Sequence, residues 1–247
     1  MLVSREIDTV LAGVLGLLIG SFLNVVIYRV PVMMYREWLS EAVANLMSSR
    51  DMPSLWSLVF GPKAVPPAGL EAAADKAATA IEALPPFNLM RPASRCGNCG
   101  HEIRWYQNIP VLSYVLLRGR CASCKTRISP RYPLVELVTA GLFALCAHRF
   151  GITPAGVLWA AFGALLVCQF LIDFDTQFLP DSINYPLLWL GLVGAAMGWT
   201  GVSLNAAVWG AVFGYLSLWL VYHGFRLITG KEGMGYGDFK LLAALGA

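Results

Sequence analysis

Charged side chains are scarce in this 247-residue chain: 13% of it is Asp, Glu, Lys or Arg, where a soluble domain averages about 25%. Beside 57% hydrophobic residues, that shortage excludes a disordered protein and argues against an ordinary soluble enzyme. A membrane protein is the expected class. No sign dominates either. Eighteen bases against 15 acids leave +3, too little to argue for a nucleic-acid partner. The head Met1–Asp8 has one base and two acids, so it lacks the basic leader of a secretory signal peptide, and the first apolar stretch is expected to remain as an uncleaved span. A glycine-rich dinucleotide loop of the GxGxxG kind is also missing.

What is present is a series of apolar runs. A bilayer-spanning helix needs roughly 20 such residues. The first run covers about Val10 to Tyr28, with Ser21 and Asn24 as its polar interruptions, and is expected to stop at Arg29-Val30-Pro31. Four more cover about 134–150, 154–172, 183–200 and 203–225, and a sixth begins at Phe239. The nine residues after Asp238 make only about 13 Å of helix, against a hydrocarbon core of roughly 30 Å. The chain is therefore expected to end inside an element, either as a truncated form or with a last helix that inserts only partly.

The few charges orient this series. Residues 31–133 hold 12 of the 18 bases and 7 of the 15 acids, a net +5. With that segment in the cytoplasm and the spans alternating, Arg29, Arg226, Lys231 and Lys240 also fall inside, and only Arg5 and Arg149 outside. Sixteen against two follows the positive-inside rule and puts the N-terminus out. The expected architecture is an all-α polytopic membrane protein. Residues 1–30 form its first transmembrane helix, 31–133 a cytoplasmic loop domain, and 134–247 the remaining transmembrane bundle. Within spans, Gly16-x-x-x-Gly20, Gly194-x-x-x-Gly198 and Gly210-x-x-x-Gly214 are read as close helix packing inside one subunit rather than a dimerisation code. In the loop, Ala68–Leu84 reads as a surface helix flanked by Pro66-Pro67 and Pro85-Pro86.

Four of the six cysteines form Cys96-Gly-Asn-Cys99 and, 21 residues on, Cys121-Ala-Ser-Cys124. A two-residue gap lets both thiolates of a pair turn to one ion, and two such knuckles supply a closed tetrahedral zinc site. Disulfides would not persist in a reducing cytoplasm, so structural zinc is preferred to a redox pair. His101 is a conceivable substitute ligand. Cys146 and Cys168 lie in apolar runs and read as small core residues.

Acids at span ends carry the other signal. Asp173 and Asp175 close the third run, Asp181 follows in Leu179-Pro180-Asp181, and Asp238 closes Gly233-Met-Gly-Tyr-Gly-Asp238. An orientation built on Lys and Arg alone puts Asp173 and Asp238 on the same, cytoplasmic, side. Two carboxylates brought together can divide general-base and general-acid work, as hydrolysis of a peptide bond requires. Glycines at 233, 235 and 237 permit a close backbone approach. Asp181 is read as the N-cap of the fourth span, Asp175 as a solvated loop acid, and spacing alone does not choose between Asp173 and Asp175.

These pieces resemble the bacterial type IV prepilin peptidases, aspartic membrane proteases of the GxGD kind. The matching stretches are Gly20-Ser-Phe-Leu-Asn-Val-Val-Ile-Tyr-Arg-Val-Pro31 and the two knuckles around Ile103–Tyr114. Arg131-Tyr-Pro-Leu-Val-Glu136, Ile172–Asp181 and Gly230–Lys240 follow, in family order. The resemblance implies Asp173 and Asp238 as the catalytic pair, with Gly235 and Gly237 in the active-site loop. It implies removal of the basic leader of type IV prepilins and type II secretion pseudopilins, on the cytoplasmic side of a glycine, at the bacterial inner membrane. It further implies N-methylation of the new N-terminal residue, usually phenylalanine, with S-adenosylmethionine, at positions that no motif here identifies. The rival reading is a non-catalytic transporter or zinc-ribbon scaffold. Transporters more often carry mid-span charges and helices interrupted in both halves, whereas the acids here sit at span ends.

Overall fold

The computed structural model describes residues 2–46, 55–65 and 67–247, and among them every named element is helical. In chain order these are α1 Leu2–Leu46, α2 Leu55–Phe60, α3 Leu70–Glu82, α4 Leu112–Leu116, α5 Arg131–Phe150, α6 Pro154–Thr176, α7 Asp181–Ala196, α8 Leu204–Thr229 and α9 Tyr236–Gly246. A 3₁₀ turn, Trp105–Asn108, precedes α4. Of these, α1, α5, α6 and α8 are long and apolar enough to cross a membrane, so the chain is a multi-pass membrane protein of all-α class.

Two expectations about the spans need correcting. The first helix does not stop at Arg29-Val30-Pro31; it runs on to Leu46, about 68 Å in all at 1.5 Å per residue. Pro31 removes one N–H, but contacts on the flanking turns hold the helix. The buried Arg29 donates to the carbonyls of Asn88 (2.8 Å) and Pro92 (2.7 Å), and Arg36 lies 4.7 Å over the Phe87 ring. The expected 183–200 span is a shorter helix of 16 residues, about 24 Å. Gly198 takes the left-handed conformation (φ +70°) just past its end, and the Trp199 N–H turns back to the Gly194 carbonyl (2.8 Å), a glycine stop that apolarity alone conceals.

The chain divides into two compact units, residues 1–28 with 93–247, and residues 29–92. The second contains α3, whose Leu70–Glu82 range matches the alanine-rich expectation; of its flanking prolines, Pro66 lies outside the described residues. In the first unit a core of Leu23, Ile27, Val135, Ala164, Cys168, Ile172 and Ile183 joins α1, α5, α6 and α7, so Cys168 is the small core residue its setting suggested.

Glycines set the helix contacts of that unit. A Cβ added at Gly16 would stand 2.7 Å from the Ala140 Cα, and one at Gly20 2.6 Å from the Glu136 Cα, so α1 and α5 meet backbone to backbone. Gly210 and Gly214 of α8 seat α9 in the same way, against Gly246 and the Leu242 carbonyl, and Gly194 receives Leu158. These are contacts within one subunit, as expected, except at Gly198, which lies past the end of α7 and where an added Cβ would meet nothing within 4 Å. Gly20→Val is therefore expected to force α1 off α5, costing at least the ~1–3 kcal/mol of an overpacked core. A thermal scan of the purified protein should show a clear drop in Tm. Gly141→Ala, where an added methyl meets nothing within 4 Å, should leave Tm nearly unchanged.

Candidate active site and metal centre

The acids collect at one end of the bundle, where α6 turns into α7 and α9 begins. The α6 end is fixed by Gln177 in the left-handed conformation (φ 54°), whose backbone and side-chain N–H groups both donate to the Asp173 carbonyl, at 2.8 and 3.0 Å. Two residues after Gln177, Leu179 is buried, and Gly237 lies so close that an added Cβ would stand 2.8 Å from the Leu179 Cβ. Lys240, one turn further along α9, binds the Asp181 carboxylate at 2.6 Å. From α8, the buried Tyr222 packs against the rings of Tyr236 and Phe239, with centroids 5.6 Å away in each case. The start of α9 is thus held on both sides of Asp238, against the loop that begins one turn after Asp173.

Five acids occupy this region, and their partners separate them. Asp175 is bound by Arg131 at 2.7 Å, Asp181 by Lys240, and Glu232 by Arg226 at 3.8 Å. Among the described residues, the carboxylates of Asp173 and Asp238 enter no ion pair. Both are half-buried. Asp175 is therefore a paired helix residue rather than a free loop acid. Asp181 is the first residue of α7 and not its N-cap, which is Pro180, because its carboxylate is taken up by Lys240. Arg131 and Lys240, which neutralise the two neighbouring acids, went unrecognised in the sequence because each reaches an acid more than 40 residues away.

The glycines of the Gly233–Asp238 stretch differ in role. The side of Gly237 is filled by the chain's own Leu179, and a Cβ added at Gly233 would stand 3.0 Å from the Phe225 ring. Gly235 is open: the first atom an added Cβ would meet is Oδ2 of Asp238, 3.8 Å away. Room for another molecule beside that carboxylate therefore lies at Gly235.

The cysteine knuckles fold as two copies of one turn. Arg95 bridges to Glu102 around the first and Arg120 to Arg127 around the second. In each, the first cysteine's N–H bonds five residues ahead, to His101 (2.8 Å) or Thr126 (2.9 Å), and its carbonyl accepts from Gly100 (2.9 Å) or Lys125 (3.2 Å). Both of those last residues are left-handed, Gly100 at φ +69° and Lys125 at φ +59°. Asn98 ties the copies together by donating to the Thr126 hydroxyl at 2.9 Å.

This pairing brings the four sulfurs of Cys96, Cys99, Cys121 and Cys124 within 4.8 Å of one another. A tetrahedral thiolate site with metal–sulfur bonds of about 2.3 Å needs sulfurs about 3.8 Å apart, and Cys96 and Cys124 are 3.8 Å apart. The set can hold a metal ion; His101 is not a member of it. The thiols are unequal. Cys124 is held down to about 5 by the Thr126 hydroxyl, then the Thr126 backbone and Asn98. The backbone N–H groups of Cys99 and Asn98 lower Cys96. Cys99 is pushed up to about 11: the His101 backbone acts to lower it but is outweighed by burial together with the neighbouring sulfurs of Cys124, Cys96 and Cys121. A cation at the centre would remove that conflict by favouring every thiolate at once.

Comparison with known proteins agrees along nearly the whole chain. Residues 14–150 match the bacterial peptidase A24 N-terminal domain, and residues 159–247 the type IV leader peptidase family. A Neisseria gonorrhoeae protein named prepilin leader peptidase/N-methyltransferase is 50% identical over 96% of this chain and 72% of its own length. Proteins of the same name from Pseudomonas aeruginosa and Dichelobacter nodosus are 48% and 44% identical, over 100% and 99% of this chain and 74% and 78% of their own lengths. No solved structure matches.

Proposed function

The chain belongs to the type IV leader peptidase family, and on that premise we propose that it is a membrane aspartic endopeptidase acting through Asp173 and Asp238. Its substrates are type IV prepilins and type II secretion pseudopilins, cut on the cytoplasmic side of a glycine. The observation that carries the assignment of residues is the pairing of the neighbouring acids: among the described residues, each of the other three has a cation, and these two enter no ion pair. One carboxylate takes a proton from water as its oxygen attacks the scissile carbonyl. The other, protonated, hydrogen-bonds that carbonyl and then supplies the proton on which the amine leaves. The open side of Gly235 admits the extended substrate backbone next to Asp238.

The reading extends to topology. Residues 1–30 form the first transmembrane span, which is the membrane-crossing part of α1, 31–133 lie in the cytoplasm, and 134–247 make the peptidase core in the bacterial inner membrane, N-terminus out. The substrate's basic leader stays on the cytoplasmic side while its apolar helix lies in the bilayer, which brings the scissile bond to the level of the two aspartates. Zinc on Cys96, Cys99, Cys121 and Cys124 holds the ribbon of residues 93–130 in shape. The activity includes N-methylation of the new N-terminal residue, usually phenylalanine, by S-adenosylmethionine. The hollow lined by Ile152, Thr153, Pro154, Leu158, Leu190 and Trp199 is apolar apart from the Thr153 hydroxyl and the Trp199 indole, has no charged side chain, and does not fit that donor. No step is assigned to it.

The test is leader removal from a purified prepilin by the chain in vesicles, followed by mass spectrometry, with a methyl increment on the mature product reporting the second activity. An intact prepilin would overturn the reading. Within the site, Gly237→Leu is expected to push the start of α9 away from Leu179, and a displacement near 1 Å costs about 10²-fold in rate. Gly141→Leu, remote from the acids, should cleave normally in the same assay.

A further inference from the structure

The ribbon that carries the cysteines also carries a surface that metal binding does not use. Between Ile103 and Val135 there are six bases and no acid. Arg104, Arg118, Arg120, Lys125 and Arg127 are exposed, and among the described residues none of the five is in an ion pair. Beside them stand apolar side chains in an order that a soluble surface would not keep. Leu112, Val115 and Leu116 lie at i, i+3 and i+4, one face of α4, and all are exposed, Leu116 by 72%. Tyr114 turns the other way, its hydroxyl 3.4 Å from the Ile128 carbonyl and its ring against Gly119. Trp105, in the turn that packs on α4, is 82% exposed.

The depth of this face follows from two tethers. Pro130 is the N-cap of α5, so the ribbon leads directly into a membrane-spanning helix. Val111, the residue before α4, donates its N–H at 2.7 Å to the buried carboxylate of Glu136. Glu136 lies five residues into α5, about 7 Å along its axis. That bond holds Val111 at φ +58°, a region that β-branched residues seldom adopt. The start of α4 is therefore fixed at the level of the first turns of a span, where headgroups meet acyl chains.

We propose that the α4 face of Leu112, Val115 and Leu116, together with Trp105, is seated in the interfacial layer of an anionic bilayer, with the neighbouring arginines at lipid phosphates. The charge selects this occupant: a base-rich stretch with no acid between Ile103 and Val135, set around an apolar centre, complements an anionic lipid surface. A tryptophan at the edge of such a patch fits the amphipathic headgroup region. The docking rests on the membrane class of the chain and on no property of Asp173 or Asp238.

Tryptophan emission tests it on the whole protein in vesicles, as the difference between the unaltered chain and Trp105→Phe. In phosphatidylcholine mixed with phosphatidylglycerol, the Trp105 component should be blue-shifted, protected from aqueous acrylamide, and lost when lipids brominated near the headgroup replace ordinary ones. Leu116→Asp should return that component to water-like emission while the bound metal, measured in parallel, is retained. A Trp105 component that is red-shifted and open to acrylamide overturns the proposal. A blue-shifted component indifferent to brominated lipid also overturns it, since a protein surface then covers the patch. Equal depth in pure phosphatidylcholine overturns the role given to the arginines.

Discussion

Asp173→Asn and Asp238→Asn are each expected to lower leader cleavage by about 10²–10⁴-fold or more, the usual worth of a positioned general acid or base. Asparagine keeps the shape of the side chain but neither takes nor gives the proton. Neither carboxylate is in an ion pair among the described residues, so its loss strands no buried cation, and both variants should stay in the membrane with an unchanged Tm. Asp175→Asn is the internal control. It has the same chemistry two residues away, but its partner is Arg131 and both side chains are more than a third exposed, so the pair is worth only about 0–1 kcal/mol. Initial rates on a purified prepilin should fall for the first two variants and nearly hold for the third. Full cleavage by a verified Asp173→Asn protein would sink the assignment of the pair, and an equal loss in Asp175→Asn would sink the argument from ion pairing.

Metal analysis of the purified chain is expected to find about one zinc, lost on Cys→Ser substitution at 96, 99, 121 or 124. In isolated zinc peptides such sites contribute of order 10 kcal/mol, so losing a ligand should unfold the ribbon and expose residues 93–130 to protease while the spans remain intact. The sign of the pH dependence follows from the thiols. At neutral pH Cys124, held to about 5, is already a thiolate, whereas Cys99, pushed up to about 11, carries its proton. Zinc uptake near pH 7 must then release protons, from Cys99 foremost, and acidification must weaken binding. Calorimetry in buffers of different ionisation enthalpy reads the proton count. A metal-free protein with a Cys96–Cys99 disulfide would contradict the site.

Much of this was legible without coordinates, because it rests on local chemistry. Two CxxC knuckles are each closed within six residues by the backbone, so their spacing already implies converging thiols. The five apolar runs correspond to helices, since apolarity over some 20 residues leaves the backbone little choice in a membrane. The boundaries were less legible. Pro31 looked like a stop, yet α1 passes it because Arg29 and Arg36 engage residues 85–92, some 50 to 60 positions away. The 183–200 run looked like a full span, yet Gly198 ends α7 early.

The scarcity of charge determined, by itself, the membrane class and the places where charge matters: four thiols in a basic loop and a handful of acids at span ends. Which acids are free was a tertiary matter. Arg131 reaches Asp175 across 44 residues and Lys240 reaches Asp181 across 59, and no periodicity records contacts of that range. Only the packing of α9 between α7 and α8, through glycines that let backbones touch, sets Asp238 beside the loop that follows Asp173. A side chain's type is written in the chain, but its partner is decided by what folding brings within about 3 Å of it.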